Sequence, residues 1–143
     1  MTQIYAPNWE DIDPDDWASW PCRYFRPYEV CDRRTGKVKT TAEFLAWMDA
    51  LREDFGQPIY INSWYRSPAS NKAVSDTGED GAHTTGEALD IRASLTDAFR
   101  IVEIAMKSGC KRIGLKQHGS IDQRFVHLDF DRSKPLPRFW TYS

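Results

Sequence analysis

Histidine and aspartate occur together in two short segments of this chain. GAHTTGEALDIR, residues 81–92, carries His83 and Asp90, and RFVHLDF, residues 124–130, carries His127 and Asp129. Histidine nitrogen and aspartate oxygen are zinc ligands, and a catalytic zinc site takes three protein ligands and leaves one position open. We therefore predict a zinc site formed by His83, Asp90 and His127. The spacing alone also fits a buried structural histidine with surface carboxylates.

A loop and two strands must position these residues. Gly86 and the β-like sequence that follows break any helix between His83 and Asp90, so a turn has to bring the two side chains face to face. His127 then arrives from a neighbouring strand. Side chains two apart on a strand share a face, so Asp129 lies near His127. It could orient the His127 ring through its second N–H, or act directly on the attacking water.

The rest of the chain predicts both helices and strands. Residues 40–56 have apolar positions at helical intervals and a capping box formed by Thr40 and Glu43, and Gly56 ends the helix. A second long helix is predicted over residues 94–109, with an apolar side formed by Phe99, Val102, Ile104, Ala105 and Met106. Further segments are a strand at 58–65, a short helix at 67–74, and strands at 87–93, 111–116 and 124–130.

These elements favour an α+β fold with a mostly antiparallel sheet flanked by helices. The proline- and aromatic-rich residues 1–30 predict an irregular wrap, residues 31–41 a small hairpin or loop, and residues 134–143 an irregular tail interrupted by proline. A length of 143 residues suits one domain with one core.

Charge and composition narrow the class of protein. A net charge of -2 disfavours nucleic acid as a partner. The first residues lack the features of a signal peptide, and no apolar run is long enough for a membrane span, so we expect synthesis as a soluble cytoplasmic protein. The cysteines lack C-x-x-C spacing, which predicts buried thiols; pairing of Cys22 with Cys31 stays open.

Three motifs in this order resemble the signature of zinc D-Ala-D-Ala carboxypeptidases and related peptidoglycan peptidases, which share the Hedgehog/DD-peptidase fold. The motifs are SWYRSP (63–68), AHTTGEALDIR (82–92) and RFVHLDF (124–130), and the likeness extends from about Tyr24 onward. The resemblance implies zinc on His83, Asp90 and His127. It also implies that Arg66 holds a substrate carboxylate or the developing oxyanion, although a structural role in the loop is the alternative.

The chain departs from this pattern at one position. Many members carry a Glu or Asp as general base three residues before the last zinc histidine, where this chain has Arg124. Some relatives instead end in an H-x-D strand, so we take Asp129 as the candidate base, with Asp122 and His118 as weaker substitutes. His118 is also a candidate for substrate binding, although a solvent-exposed histidine in a polar loop is the plainer interpretation.

The resemblance implies a zinc-dependent, monomeric peptidase that hydrolyses a bond of the peptidoglycan stem peptide, either D-Ala-D-Ala or L-Ala-D-Glu. A phage lysis protein or virion-associated murein hydrolase would fit, acting on the wall after release from the cytoplasm. Two alternatives stay open. The chain could be an inactive zinc-holding module that binds cell wall or a protein, or a structural virion component that packs through Trp9, Trp17 and Trp20.

Overall fold

A computed structural model describes residues 2–143 and contains two sheets and four α-helices. A five-stranded sheet has the order β3-β4-β6-β5-β7, and a two-stranded sheet pairs β1 with β2. All pairs are antiparallel except β5 with β7, which confirms the α+β prediction. The strands are β1 Gln3–Ala6, β2 Val38–Thr41, β3 Tyr60–Ser63, β4 Ala88–Arg92, β5 Arg112–Lys116, β6 Phe125–Asp129 and β7 Arg138–Thr141. The helices are α1 Pro27–Val30, α2 Ala42–Phe55, α3 Pro68–Val74 and α4 Leu95–Lys107.

The two faces of the large sheet have opposite character. Along β4 and β6, alternate side chains enter the hydrophobic core, where Leu89, Ile91 and Leu128 are fully buried. The residues between them point to the other face, as the period of two in a strand requires. Asp90 and His127 are direct partners in the antiparallel register of β4 and β6. The sheet therefore places polar side chains together on the face opposite the core.

Helix α2 starts one residue later than the capping box predicts. Thr41 is the N-cap, because its side-chain oxygen accepts a hydrogen bond from the Phe44 backbone. Thr40 belongs to β2, and its hydroxyl donates instead to the Gly86 carbonyl at 2.8 Å. Gly56 ends the helix in the left-handed conformation, as predicted.

Helix α4 buries only part of the face that was predicted. Ala98, Ile101 and Ala105 are the buried positions, whereas Phe99 and Met106 are 73% and 58% exposed. The small alanine side chains allow this helix to lie close to β6, which it contacts. Phe99 and Met106 therefore lie on the outer side of the helix, whereas Ala105 is buried as predicted and Val102 and Ile104 pack partly buried against the core.

Two short strands lie where the sequence predicted irregular chain. Gln3–Ala6 forms β1 against β2, and Arg138–Thr141 forms β7 beside β5. Both strands depend on pairing with residues far away in the sequence. A local sequence pattern cannot predict such pairing. The cysteines agree with the sequence analysis, since all three are free and buried. No helix of residues 2–143 combines the length and the apolarity needed to span a membrane.

Candidate metal centre

His83 lies on a 3-10 turn, Ala82–Thr85, and its ring is held in one orientation. Its Nδ1 lies 2.7 Å from the Trp64 carbonyl oxygen, which can only accept, so Nδ1 carries the proton. This leaves the lone pair on Nε2, which faces Asp90 Oδ1 at 3.4 Å. Only 6% of the residue is exposed, so its free nitrogen has little access to bulk water.

Gly86 fixes the turn that carries His83. Its φ of 80° is in the left-handed region, and a Cβ at this position would lie 2.3 Å from the Lys39 carbonyl oxygen. The Gly86 carbonyl accepts hydrogen bonds from Thr40 Oγ1 at 2.8 Å and from Trp64 Nε1 at 2.9 Å. Only glycine fits here. Hydrogen bonds hold the turn that the sequence analysis required against β2 and against the residue that follows β3.

His127 lies between two carboxylates. Its Nδ1 is 2.9 Å from Asp90 Oδ1, and its Nε2 is 2.6 Å from Asp129 Oδ2. Asp129 is fully buried, and its other oxygen accepts from Arg112 Nε at 2.7 Å and from the Asp131 backbone at 2.9 Å. Asp129 thus holds the ring nitrogen that points away from Asp90. Of the two roles left open by the sequence, this position suits orientation of His127 and not removal of a proton from an attacking water.

The buried charges shift each other's pKa values. Burial alone lowers the pKa of His127, but the hydrogen bonds with Asp129 and Asp90 outweigh it and raise the pKa to about 9. Burial raises the pKa of Asp90, but the neighbouring His83 and His127 hold it well below its usual range. The site therefore favours an ionised Asp90, which is the form that binds a cation.

The geometry fits a zinc ion. One ligand atom from each of His83, Asp90 and His127 lies within 4.8 Å of the other two. Ligands about 2.0–2.2 Å from a tetrahedral zinc lie about 3.3–3.6 Å from each other. The separation of 3.4 Å between His83 Nε2 and Asp90 Oδ1 meets this, and the 2.9 Å between His127 Nδ1 and the same oxygen requires only a small opening. The second nitrogen of each histidine already has an acceptor, as metal-binding histidines usually do.

Arg66 lies beside this group of ligands. Its Nε donates to Ser63 Oγ and its Nη1 to Asn71 Oδ1, both at 3.0 Å, while Nη2 lies 3.5 Å from Asp90 Oδ2. The first two contacts fix the plane of the guanidinium. Arg66 lines the same cavity as Asp90, and a guanidinium can donate paired hydrogen bonds to a carboxylate or an oxyanion.

A cavity of about 390 Å³ opens over the predicted ligands, and Arg66, His83, Asp90, His127 and Asp129 all contribute to its lining. Two predicted residues, and Arg124 at the position of the usual base, do not line it. His118 is exposed, and its Nε2 lies 3.1 Å from the Tyr142 carbonyl oxygen. Asp122 is also exposed, and Arg124 donates to the Gly119 carbonyl. The structure thus gives His118 no position for substrate binding, and neither His118 nor Asp122 a position for taking a proton.

The sequence analysis did not predict the wall of this cavity that β5 and β7 form. Arg112 on β5 supports Asp129, and β7 with the residue after it contributes Arg138, Trp140 and Tyr142. The aromatic and β-branched residues of RFWTY would have indicated a strand, but the preceding prolines favoured a tail. A separate groove of about 360 Å³, lined in part by Trp47, contains none of the predicted site residues.

Three zinc-type ligands and an arginine converge in an open cavity, an arrangement that fits a metallopeptidase. Residues 24–129 match the family model described as Peptidase M15, and the chain belongs to that family. This confirms the resemblance to zinc D-Ala-D-Ala carboxypeptidases, a group that acts on peptidoglycan. No curated protein and no solved structure matched the chain.

Proposed function

We propose that this protein is a zinc-dependent peptidase that hydrolyses an amide bond in the stem peptide of peptidoglycan, of the D-Ala-D-Ala carboxypeptidase or L-Ala-D-Glu endopeptidase type. The observation that carries the proposal is the convergence of His83 Nε2, Asp90 Oδ1 and His127 Nδ1 in a cavity that Arg66 also lines. A site of this kind has three protein ligands and room for a substrate, which distinguishes catalytic from structural zinc sites.

His83, Asp90 and His127 would hold the metal. When bound, zinc polarises the scissile carbonyl and makes water a nucleophile near neutral pH. The protein's own contribution is to fix the orientation of its ligands. The Trp64 carbonyl accepts the proton of His83 Nδ1 and leaves the lone pair on Nε2, and Asp129 accepts from His127 Nε2, so that Nδ1 is the atom that faces Asp90. Because the pKa of His127 is raised to about 9, a proton would leave its Nδ1 on metal binding.

Arg66 would stabilise negative charge on the substrate. Its guanidinium is held by Ser63 and Asn71, so it needs little rearrangement to donate a pair of hydrogen bonds to an oxyanion or a carboxylate. Donors that are already oriented lower the barrier of the chemical step more than mobile ones do. The contact of Arg66 with Asp90 also places this positive charge next to the metal ligands.

A second candidate function rests on the carboxylates of the cavity. Asp90 and Asp129 are the only acidic residues that line it within residues 2–143, and neither suits a general base. Asp90 is a proposed ligand, and both oxygens of Asp129 are engaged by His127, Arg112 and the backbone of Asp131. This favours, as the alternative, a zinc-holding module that binds cell wall or a protein without cleaving it.

Digestion of purified murein sacculi separates the two functions. Zinc-loaded protein is incubated with sacculi, and mass spectrometry of the released fragments identifies the bond that is cut. The controls are chelator-treated protein and Asp90→Asn, which removes a charged ligand but keeps the side-chain shape. Cleavage that requires both zinc and Asp90 supports the peptidase. Sacculi that bind the fully zinc-loaded protein but stay intact support the binding module.

We place the protein among phage lysis or virion-associated enzymes, working as a monomer on the wall after release. Expression inside a bacterium should then leave the cells intact, whereas purified protein added to cells with a permeabilised outer membrane should lyse them. Lysis from within, without any agent that opens the inner membrane, would contradict this setting.

A further inference from the structure

Strand β7 and the residue after it lie outside the residues 24–129 that match the family, yet they form one wall of the cavity. Parallel pairing with β5 places Arg138 opposite Arg112 and Trp140 opposite Gly114. Alternate residues of β7 therefore point to the face of the sheet that holds the metal ligands. This wall belongs to the chain's own C-terminal segment and not to the part shared with the family.

Trp140 connects this wall to the metal ligands. Its ring centroid lies 5.3 Å from that of His127. A Cβ on Gly114 would lie 2.6 Å from the indole, so the glycine is what lets Trp140 pack flat against β5. The guanidinium of Arg138 then lies 5.5 Å from the Trp140 ring centroid. Arg138 is thus separated from a proposed zinc ligand by a single aromatic side chain.

Arg138 differs from the other basic residues that line the cavity. The lining contains four Arg and Lys side chains, and three of them pair with aspartates. The pairs are Arg66–Asp90 at 3.5 Å, Arg112–Asp129 at 2.7 Å and Lys134–Asp131 at 2.7 Å. Arg138 is exposed and forms no ion pair with any other residue from 2 to 143. Its charge is left for a ligand.

We infer that Arg138 binds a carboxylate of the substrate, with Trp140 as the platform beneath it, and so helps to determine which peptides are cut. The inference rests on the proposed function, which supplies a peptide at the metal ligands. An extended peptide advances about 3.3–3.6 Å per residue. The two steps of 5.3 and 5.5 Å from His127 to Trp140 and on to Arg138 therefore correspond to a carboxylate within about three residues of the cleaved bond.

Two chemical sources could supply that carboxylate, namely the C-terminus of the peptide or the free carboxyl group of an internal acidic residue. Arg recognises both through the same paired, charge-assisted hydrogen bonds. The probes that separate them are three acetylated stem-type peptides of one sequence. One has every carboxylate free, one carries a C-terminal amide, and one has the internal carboxyl group amidated.

The test compares Arg138→Gln with Arg132→Gln. Arg132 is a matched control, because it is exposed in the same C-terminal segment and does not line this cavity. Its replacement by Gln removes the same charge. Binding of each probe to zinc-loaded protein is measured by calorimetry, and kcat/KM is measured for each probe that is cleaved. Arg138→Gln should weaken binding of the unmodified peptide about tenfold to a hundredfold. Arg132→Gln should leave it unchanged, and melting curves verify that both variants fold.

The amidated probes identify the source. Wild type should bind one of the two amidated probes as weakly as Arg138→Gln binds the unmodified peptide. The group that is amidated in that probe is the carboxylate that Arg138 contacts, and Arg138→Gln should bind that probe no more weakly than wild type does. The inference is overturned if Arg138→Gln weakens all three probes alike, if it weakens none more than Arg132→Gln does, or if wild type binds no probe. Failure of the proposed function looks different, since Arg138-dependent binding without any cleavage refutes the peptidase but leaves the carboxylate site in place.

Discussion

Replacement of Asp129 by Asn separates a positioning role from a catalytic one. The carboxylate accepts from His127 Nε2 at 2.6 Å through one oxygen, and from Arg112 Nε at 2.7 Å and the Asp131 backbone through the other. An amide has only one acceptor oxygen. The charged Arg112 will attract it, so the NH2 group turns towards His127 and favours the tautomer with its proton on Nδ1. That proton occupies the nitrogen that should bind zinc.

The expected loss in zinc affinity is about 10- to 100-fold, the usual cost of removing the partner of a metal-binding histidine. The metal-free protein should also lose about 3 kcal/mol in free energy of unfolding, because the buried Arg112 keeps its contact with the Pro135 carbonyl but loses its counter-charge. Zinc affinity is measured by competition with a chromophoric chelator, and stability by urea unfolding.

Asp131→Asn is the matched control for this prediction. Asp131 is also buried, but its side chain contacts Ser133 and Lys134 and none of the proposed ligands, so its loss should lower stability and leave zinc affinity unchanged. The reasoning would be refuted if Asp129→Asn bound zinc as tightly as wild type while kcat fell. In that case Asp129 would take up a proton during hydrolysis, as the sequence first suggested.

Three further predictions concern the scaffold around the site. Gly86→Ala should lower the free energy of unfolding by more than about 2 kcal/mol, from the positive φ and from a Cβ only 2.3 Å from the Lys39 carbonyl; an unchanged urea midpoint would contradict this. Burial raises the pKa of Asp32, but the hydrogen bond from the Ser67 backbone and others lower it overall. Asp32→Asn should therefore cost most stability above the unfolded pKa of about 3.9, and the difference from wild type should vanish as the pH falls through the lower folded pKa, as pH-dependent unfolding will test. Burial raises the pKa of Cys22 to about 12, so iodoacetamide at pH 8 should leave this thiol unmodified in folded protein and label it after denaturation.

The sequence predicted the convergence of the three proposed ligands better than their surroundings. His83, Asp90 and His127 could be found because their chemistry is rare in this chain and their strands have a clear alternating pattern. The role of Asp129 could not be decided, since it depends on which nitrogen of His127 faces Asp90. That choice is made by strand register and by a partner on β5, Arg112, both of which arise from long-range pairing.

The cavity wall was missed for a related reason. Parallel strands are joined by a long connection, so no short sequence pattern shows that β7 pairs with β5. The prolines before Arg138 also favour irregular chain when the segment is considered by itself. Besides RFWTY itself, a sequence trace of the wall is Gly114 in the middle of β5. Its missing side chain leaves room for Trp140, which is a common reason for glycine inside a strand.

The sheet separates the proposed metal ligands from the side chains proposed to select the peptide. Asp90 and His127 lie on β4 and β6, which each have a paired strand on both sides, so their backbone positions are strongly determined. Arg138 and Trp140 lie on β7 at the sheet edge, where only one neighbour holds the backbone. A change on β7 can therefore alter which carboxylate is accepted without displacing the zinc ligands. Substitutions on β4 or β6 differ, because a proposed ligand and a core residue occupy adjacent positions of each strand. A change that moves the backbone there shifts both side chains.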